Sequence, residues 1–150
     1  GDVYKRQHQG IAAIVKPLEL VKLDYLISEM RKNKTSFVVV LDQVTDPHNL
    51  GAVIRSAAAF SADAIFVHDR STPRLDGVLG KAASGALEKI SIVRIKNIAR
   101  AIEKLKKNEF WCLGLSDSAV NDLSNMQIPT KTALVLGAEG MGLRRLTKHT

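Results

Sequence analysis

The run Phe37-Val38-Val39-Val40-Leu41 is apolar at every position. A segment that has no polar side to turn to water reads as a buried strand. A polar stretch, Asp42-Gln43-Val44-Thr45-Asp46, follows at once. Asp46 can cap a helix there, and Pro47 fits the first helical position, where a missing N–H costs nothing. The predicted helix runs to about residue 60 and is rich in alanine, which lets it pack closely on a sheet. Its first turn carries Asn49 and its second Arg55, so an amide and a guanidinium are placed at the carboxyl end of a strand. Open α/β sheets bind their ligands at that end.

The rest of the chain repeats the alternation. Leu20, Leu23, Leu26, Ile27 and Met30 fall at helical spacing and end in Arg31-Lys32-Asn33-Lys34. Strands are predicted at 64–67, 92–95, 110–115 and 133–136, and helices at 76–84 and 98–107. The fold class is α/β, with a mainly parallel sheet flanked by helices. Residues 1–16 lack a sustained period and read as a linker; residues 17–150 read as one domain, a size that supports a real core. No internal repeat or low-complexity segment is evident.

Charge and cysteine usage narrow the partners. There are 22 Lys+Arg against 15 Asp+Glu, a balance of +7 that favours a polyanion, although a basic surface can also serve solubility alone. The single cysteine, Cys112, excludes an internal disulfide and fits a reducing compartment. No apolar run approaches the ~20 residues that span a bilayer, and no signal peptide is visible, so a cytoplasmic location is expected and no membrane partner. No His/Cys spacing suggests a metal site. Trp111 and Cys112 lie in an apolar stretch and read as core.

A second motif follows the last predicted strand: Leu134-Val135-Leu136-Gly137-Ala138-Glu139-Gly140-Met141-Gly142-Leu143. Its glycines run G-x-x-G-x-G, not the G-x-G-x-x-G of the dinucleotide fingerprint. Glu139 in mid-loop would repel a pyrophosphate. A nucleotide-dependent oxidoreductase is disfavoured on both counts. Asn49 can simply satisfy the helix N-terminus, Arg55 can be a surface arginine with a carboxylate partner, and Glu139 can cap a helix that starts near Leu143. His48 is a candidate base, since imidazole as a group titrates near neutrality, but its place in the motif does not by itself make it catalytic.

Together the stretch from Leu41 to Ala57 and the glycine motif resemble the first two signature motifs of the SpoU (TrmH-type) RNA ribose 2′-O-methyltransferases of the SPOUT superfamily. The resemblance implies S-adenosyl-L-methionine as cofactor, whose sulfonium cation tolerates a nearby carboxylate. It implies that Leu136, Gly137, Gly140 and Gly142 line the cofactor pocket, largely through backbone groups. It makes Arg55 the essential arginine, with Asn49 and Glu139 as further catalytic-site residues that position it or the ribose. A guanidinium stays charged across the working range. Its easier role is a bidentate grip on the phosphate beside the target ribose, which orients the 2′-hydroxyl; acting as a base needs unusual help.

His8-Gln9-Gly10-Ile11, Val15-Lys16-Pro17 and Arg144-Arg145-Leu146-Thr147 extend the likeness toward the bacterial 23S rRNA (guanosine-2′-O-)-methyltransferase branch. That branch implies an RNA partner, not DNA, and a homodimer with a C-terminal trefoil knot. The family's third motif and its N-terminal RNA-recognition domain have no counterpart in these 150 residues. The chain therefore reads as a fragment, expected to bind the cofactor poorly and to be inactive alone. A tRNA 2′-O-methyltransferase and a non-catalytic RNA-binding module of the same fold stay as alternatives.

Overall fold

A computed structural model of the chain describes residues 19–72, 77–116, 119–138, 142–145 and 147. The linker assigned to 1–16 lies outside the described residues, as do Glu139 and Gly140. Five strands carry the architecture: β1 Ser36–Leu41, β2 Ala64–His68, β3 Ser91–Ile95, β4 Trp111–Gly114 and β5 Lys131–Leu136. Among the described residues four helices flank them, α1 Leu23–Arg31 before β1 and α2 Pro47–Ala59, α3 Gly77–Ala83 and α4 Ile98–Lys106 between successive strands from β1 to β4. Short 3₁₀ turns, Ala86–Glu88 and Leu123–Asn125, precede β3 and β5. Periodicity over three residues is too brief to announce such turns in a sequence.

The strands form one sheet in the order β3-β2-β1-β5-β4, and every pairing is parallel. The chain walks outward from β1 to β3, crosses through α4 to the opposite edge at β4, and returns to insert β5 beside β1. The order of connection therefore reverses between β1 and β5. That reversal opens a crevice at the carboxyl ends of the two strands, the place where sheets of this kind accept ligands.

Period-two alternation sorts each strand between two cores. Val38, Val40, Phe66, Val93 and Val135 join α1 and α4 on one face, around Leu26, Met30, Ile102 and Leu105. Val39, Leu41, Ile65, Val67 and Ile92 join α2 and α3 on the other, around Leu50, Ile54 and Leu79. Residues 38–41 of the apolar run are thus buried, as predicted for a buried strand, with Val38 and Val40 on one face and Val39 and Leu41 on the other, and Phe37 is partly buried.

α2 and α3 touch at backbone range. A Cβ on Gly51 would lie 2.5 Å from the Cβ of Ala82 and 2.8 Å from its carbonyl carbon. Glycine is the residue that lets these two helices meet.

Trp111 departs from expectation. Its apolar neighbours predict a core position, but it is 65% exposed, and Cys112 beside it is only half-buried. β4 is the edge strand, and Trp111 lies in register with Thr132 and, across β5, with Phe37, on the face that α2 and α3 cover over β1 to β3. Those helices stop short of β4. An apolar stretch in a sequence does not say whether its strand lies inside a sheet or at its rim.

Candidate active site

Three strands end side by side at the crevice. The N–H of Asp42 donates to the carbonyl of Leu136 at 2.8 Å, and that of Leu115 to Val135 at 2.9 Å, so the ladders continue one residue past β1 and β4. The chain turns sharply after β1. Gln43 has φ +67°, a left-handed conformation that costs a side-chain-bearing residue about 1 kcal/mol. Beyond it Asp46 caps α2, its carboxylate accepting from the His48 N–H at 3.0 Å, with Pro47 in the first turn. Cap and proline both stand where the sequence predicts them.

After β5 the glycine motif folds back on itself. Ala138 and Gly142 exchange two hydrogen bonds, Gly142 N–H to Ala138 carbonyl at 2.8 Å and the reverse at 3.1 Å. Gly142 takes φ +62°, open to glycine without strain. A Cβ on Gly137 would sit closer than 3.0 Å to backbone atoms of Gly142 and Leu143. Both glycines are therefore demanded by backbone geometry.

The loop borders an open cleft of about 1100 Å³ at the ends of β4 and β5. Leu136, Gly137, Gly142 and Leu143 form one side; Leu115, Leu123 and Met126 approach from the segment between the strands. Among the described residues that line it there is no lysine, arginine or histidine, and a single carboxylate, Asp122. Hydrogen bonds from the Ser124 hydroxyl (2.7 Å) and then its N–H (2.8 Å) hold Asp122 below the usual carboxylate range, so it is anionic at neutral pH. A cleft of this character suits a ligand that is partly apolar, read by backbone groups, and neutral or cationic. A pyrophosphate would meet no counter-charge among these described residues.

Three of the four residues assigned to the cofactor, Leu136, Gly137 and Gly142, therefore line one cleft; the fourth, Gly140, lies outside the described residues. The catalytic assignments are more dispersed. Asn49 is exposed in the first turn of α2, beside the reversal between β1 and β5. Arg55 is the ninth residue of α2, in its third turn and not its second. Six residues of helix put it about 9 Å further along the axis than Asn49 and turn it about 120° away. Arg55 is exposed, and its guanidinium donates to the carbonyl of Ala82 in the last turn of α3, where helix carbonyls lack intrahelical partners. Neither residue lines the cleft.

Sequence reasoning passed over Asp42. It is 0% exposed, and its carboxylate accepts from the Arg144 side chain at 2.6 Å, the Thr147 hydroxyl at 2.7 Å and the Arg144 N–H at 3.2 Å. An acidic residue flush against the end of an all-apolar strand was the available signal. The facing wall contributed by residues 119–126 had none, being irregular and largely exposed.

Comparison with known proteins agrees with the motifs. Residues 36–150 match the model of the SpoU rRNA Methylase family. A Bacillus subtilis protein assigned to the TrmH family of tRNA/rRNA methyltransferases is 40% identical over 144 residues, 95% of this chain and 58% of that protein. A Staphylococcus aureus protein with the same assignment is 36% identical over 140 residues, 93% of this chain and 56% of that one. The chain thus spans a little over half the length of these relatives. In fold it is similar to the SpoU methyltransferase AviRb from Streptomyces viridochromogenes, solved in complex with AdoMet. The TM-score is 0.72 at 21% identity, covering 78% of this chain and 46% of that one. With its family model matched from the first strand to the last residue, the chain belongs to the SpoU rRNA methylase family.

Proposed function

We propose that this chain is the catalytic core of an RNA ribose 2′-O-methyltransferase that uses S-adenosyl-L-methionine and acts on a guanosine of 23S rRNA. On this reading residues 17–150 are the catalytic domain, and the complete protein is a cytoplasmic homodimer. The observation that carries the cofactor is the cleft: its described lining has apolar side chains, a tight glycine turn, one carboxylate and no cation. Those residues fit a cationic sulfonium and an apolar-faced adenine better than a dinucleotide. Leu136, Gly137 and Gly142 would hold the cofactor, with Gly140 and Glu139 completing the loop. When bound, the cofactor supplies an electrophilic methyl group.

The chain's own residues supply binding and orientation. Arg55 grips the phosphate beside the target nucleotide and so aligns its 2′-hydroxyl, and Asn49 positions the ribose or Arg55 itself. To reach that phosphate, the Arg55 side chain must exchange the Ala82 carbonyl for the RNA. A weak neutral acceptor is readily replaced by an anion, because hydrogen bonds to charged partners are about twice as strong.

Tritium transfer from labelled cofactor into 23S rRNA by the full-length gene product tests the reading; label entering tRNA instead would move the substrate and keep the reaction. Calorimetry should show S-adenosylhomocysteine binding and no NAD binding. Arg55→Ala should abolish transfer and leave cofactor affinity nearly intact. Arg55→Lys should fail too, since a point charge cannot replace the planar fork. Normal turnover in either variant removes Arg55 from the site.

A further inference from the structure

Residues 142–145 and Thr147 meet the carboxyl ends of three strands, with a fastening at each. At β5, Gly142 is hydrogen-bonded to Ala138. At β4, Leu143 lies over Gly114, where a Cβ would approach the Leu143 Cδ1 to 2.8 Å. At β1, Asp42 takes both hydrogen bonds of Arg144 and that of Thr147. Gly142 and Leu143 form part of the cleft, whereas Arg144 and Thr147 are absent from its lining. Asp42 itself is out of the cleft and out of water.

We propose that Asp42 is a positioning residue. By anchoring Arg144 and Thr147 it presses Gly142 and Leu143 onto the ends of β5 and β4, and so sets the wall against which the cofactor binds. Two features favour this over a merely stabilising ion pair. The carboxylate spends its oxygens on one short segment more than 100 residues away, and on three donors from two residues three apart within it. The left-handed turn at Gln43 directs the chain away at once, which leaves Asp42 enclosed between the end of β1 and that segment. A buried carboxylate with both oxygens hydrogen-bonded holds its neighbours to one geometry, because a loosened partner leaves an acceptor short of a hydrogen bond out of water.

The ligand in this proposal rests on the function proposed above; the clamp does not. The test is Asp42→Asn in the full-length gene product, an exchange that keeps shape but presents an N–H₂ to Arg144 and Thr147. Two readouts apply: amide hydrogen exchange along 142–147, and S-adenosylhomocysteine affinity by calorimetry. Exchange at 143–147 should accelerate while that of Val38 to Val40 holds, and affinity should fall about tenfold or more. Ile102→Val, in the core on the α4 face, serves as a control that lowers Tm without changing affinity. Unchanged exchange in Asp42→Asn overturns the proposal, and so does affinity within about twofold of wild type. If the wild-type protein binds no S-adenosylhomocysteine, the cofactor reading fails and the exchange comparison alone decides the clamp. Should Asp42→Asn not fold, Arg144→Met and Thr147→Val remove the donors one at a time. In either of these, faster exchange at 143–147 with weakened affinity supports the clamp, and wild-type values in both overturn it.

Discussion

Strands β1 to β3 and strands β5 and β4 belong to one hydrogen-bonded sheet, yet they meet different surroundings. The first three are covered on one face by α1 and α4 and on the other by α2 and α3, so that Val38, Val40, Ile65 and Phe66 are almost wholly withdrawn from water. In β4 no residue is fully buried, and Trp111 stands out into solvent. The covered half holds the fold together. The half that is covered on the α4 face alone carries the cleft, the glycine turn and the anchored segment that borders it. Stability and binding are therefore separable here, and substitutions in the two halves should fail in different ways.

The largest contrast is between two aromatic residues. Phe66→Ala removes a ring from the centre of the sheet and should cost about 3–5 kcal/mol, enough to unfold much of the population. Trp111→Ala removes a larger ring from the rim and should cost about 0.5 kcal/mol. Urea denaturation of both variants measures the difference. Comparable losses would mean that the rim is packed in solution and that the two halves do not differ.

Two glycines sharpen the contrast. Gly51→Ala forces a methyl into Ala82, an overpacking that costs about 1–3 kcal/mol and outweighs the roughly 1 kcal/mol gained in helix propensity. A drop in urea midpoint with unchanged S-adenosylhomocysteine affinity is expected. Gly137→Ala meets backbone atoms that cannot swing aside, so the turn must open. Affinity should fall about tenfold or more, with a smaller change in stability. If Gly137→Ala binds normally, the glycine turn is no part of the pocket.

These pairs also mark how far the sequence could be read. Apolar runs and helical spacing located the five strands and four helices of the described residues, because burial of β1 or α4 is written in consecutive side chains. Asp46 and Pro47 announced the start of α2 by local chemistry alone. What escaped was tertiary. The partner of Asp42 lies 102 residues away, so no window along the chain contains both. Whether Trp111 is inside or at the rim depends on strand order, which the alternation leaves open. The glycines were found, but only the fold shows that Gly137 needs its missing Cβ because Gly142 and Leu143 pass over it. The Arg55 partner, Ala82, comes from a helix whose docking rests on Gly51, and neither residue is unusual in a helix read alone.

Fluorescence reads the rim directly, since Trp111 is the chain's single tryptophan. Its emission in this chain should lie at the long wavelength of a solvated indole and be quenched readily by iodide. Adding S-adenosylhomocysteine should leave it nearly unchanged, because Trp111 does not line the cleft. A blue-shifted, protected signal would show the rim covered in solution and would erase the contrast between the halves.

The smallest effect concerns Cys112, next to Trp111 but turned toward the α4 face of β4. Its thiol is half-buried, and that burial raises its pKa above the ordinary thiol range, with nearby Lys106 opposing in part. Alkylation requires the thiolate, so iodoacetamide should react with the folded protein more slowly than with a free thiol at neutral pH. The rate should climb only at more alkaline pH. The sign for stability follows from the same shift: the folded state favours the protonated thiol. Stability is therefore undisturbed below the unfolded thiol's pKa and declines as pH rises through that value toward the folded one. Denaturation midpoints of wild type and Cys112→Ala compared across this alkaline window should converge on raising the pH, the wild type losing the more. A Cys112 that reacts as fast as a free thiol at neutral pH would place it in water with Trp111, and the α4 face of β4 would then be as open as the face opposite.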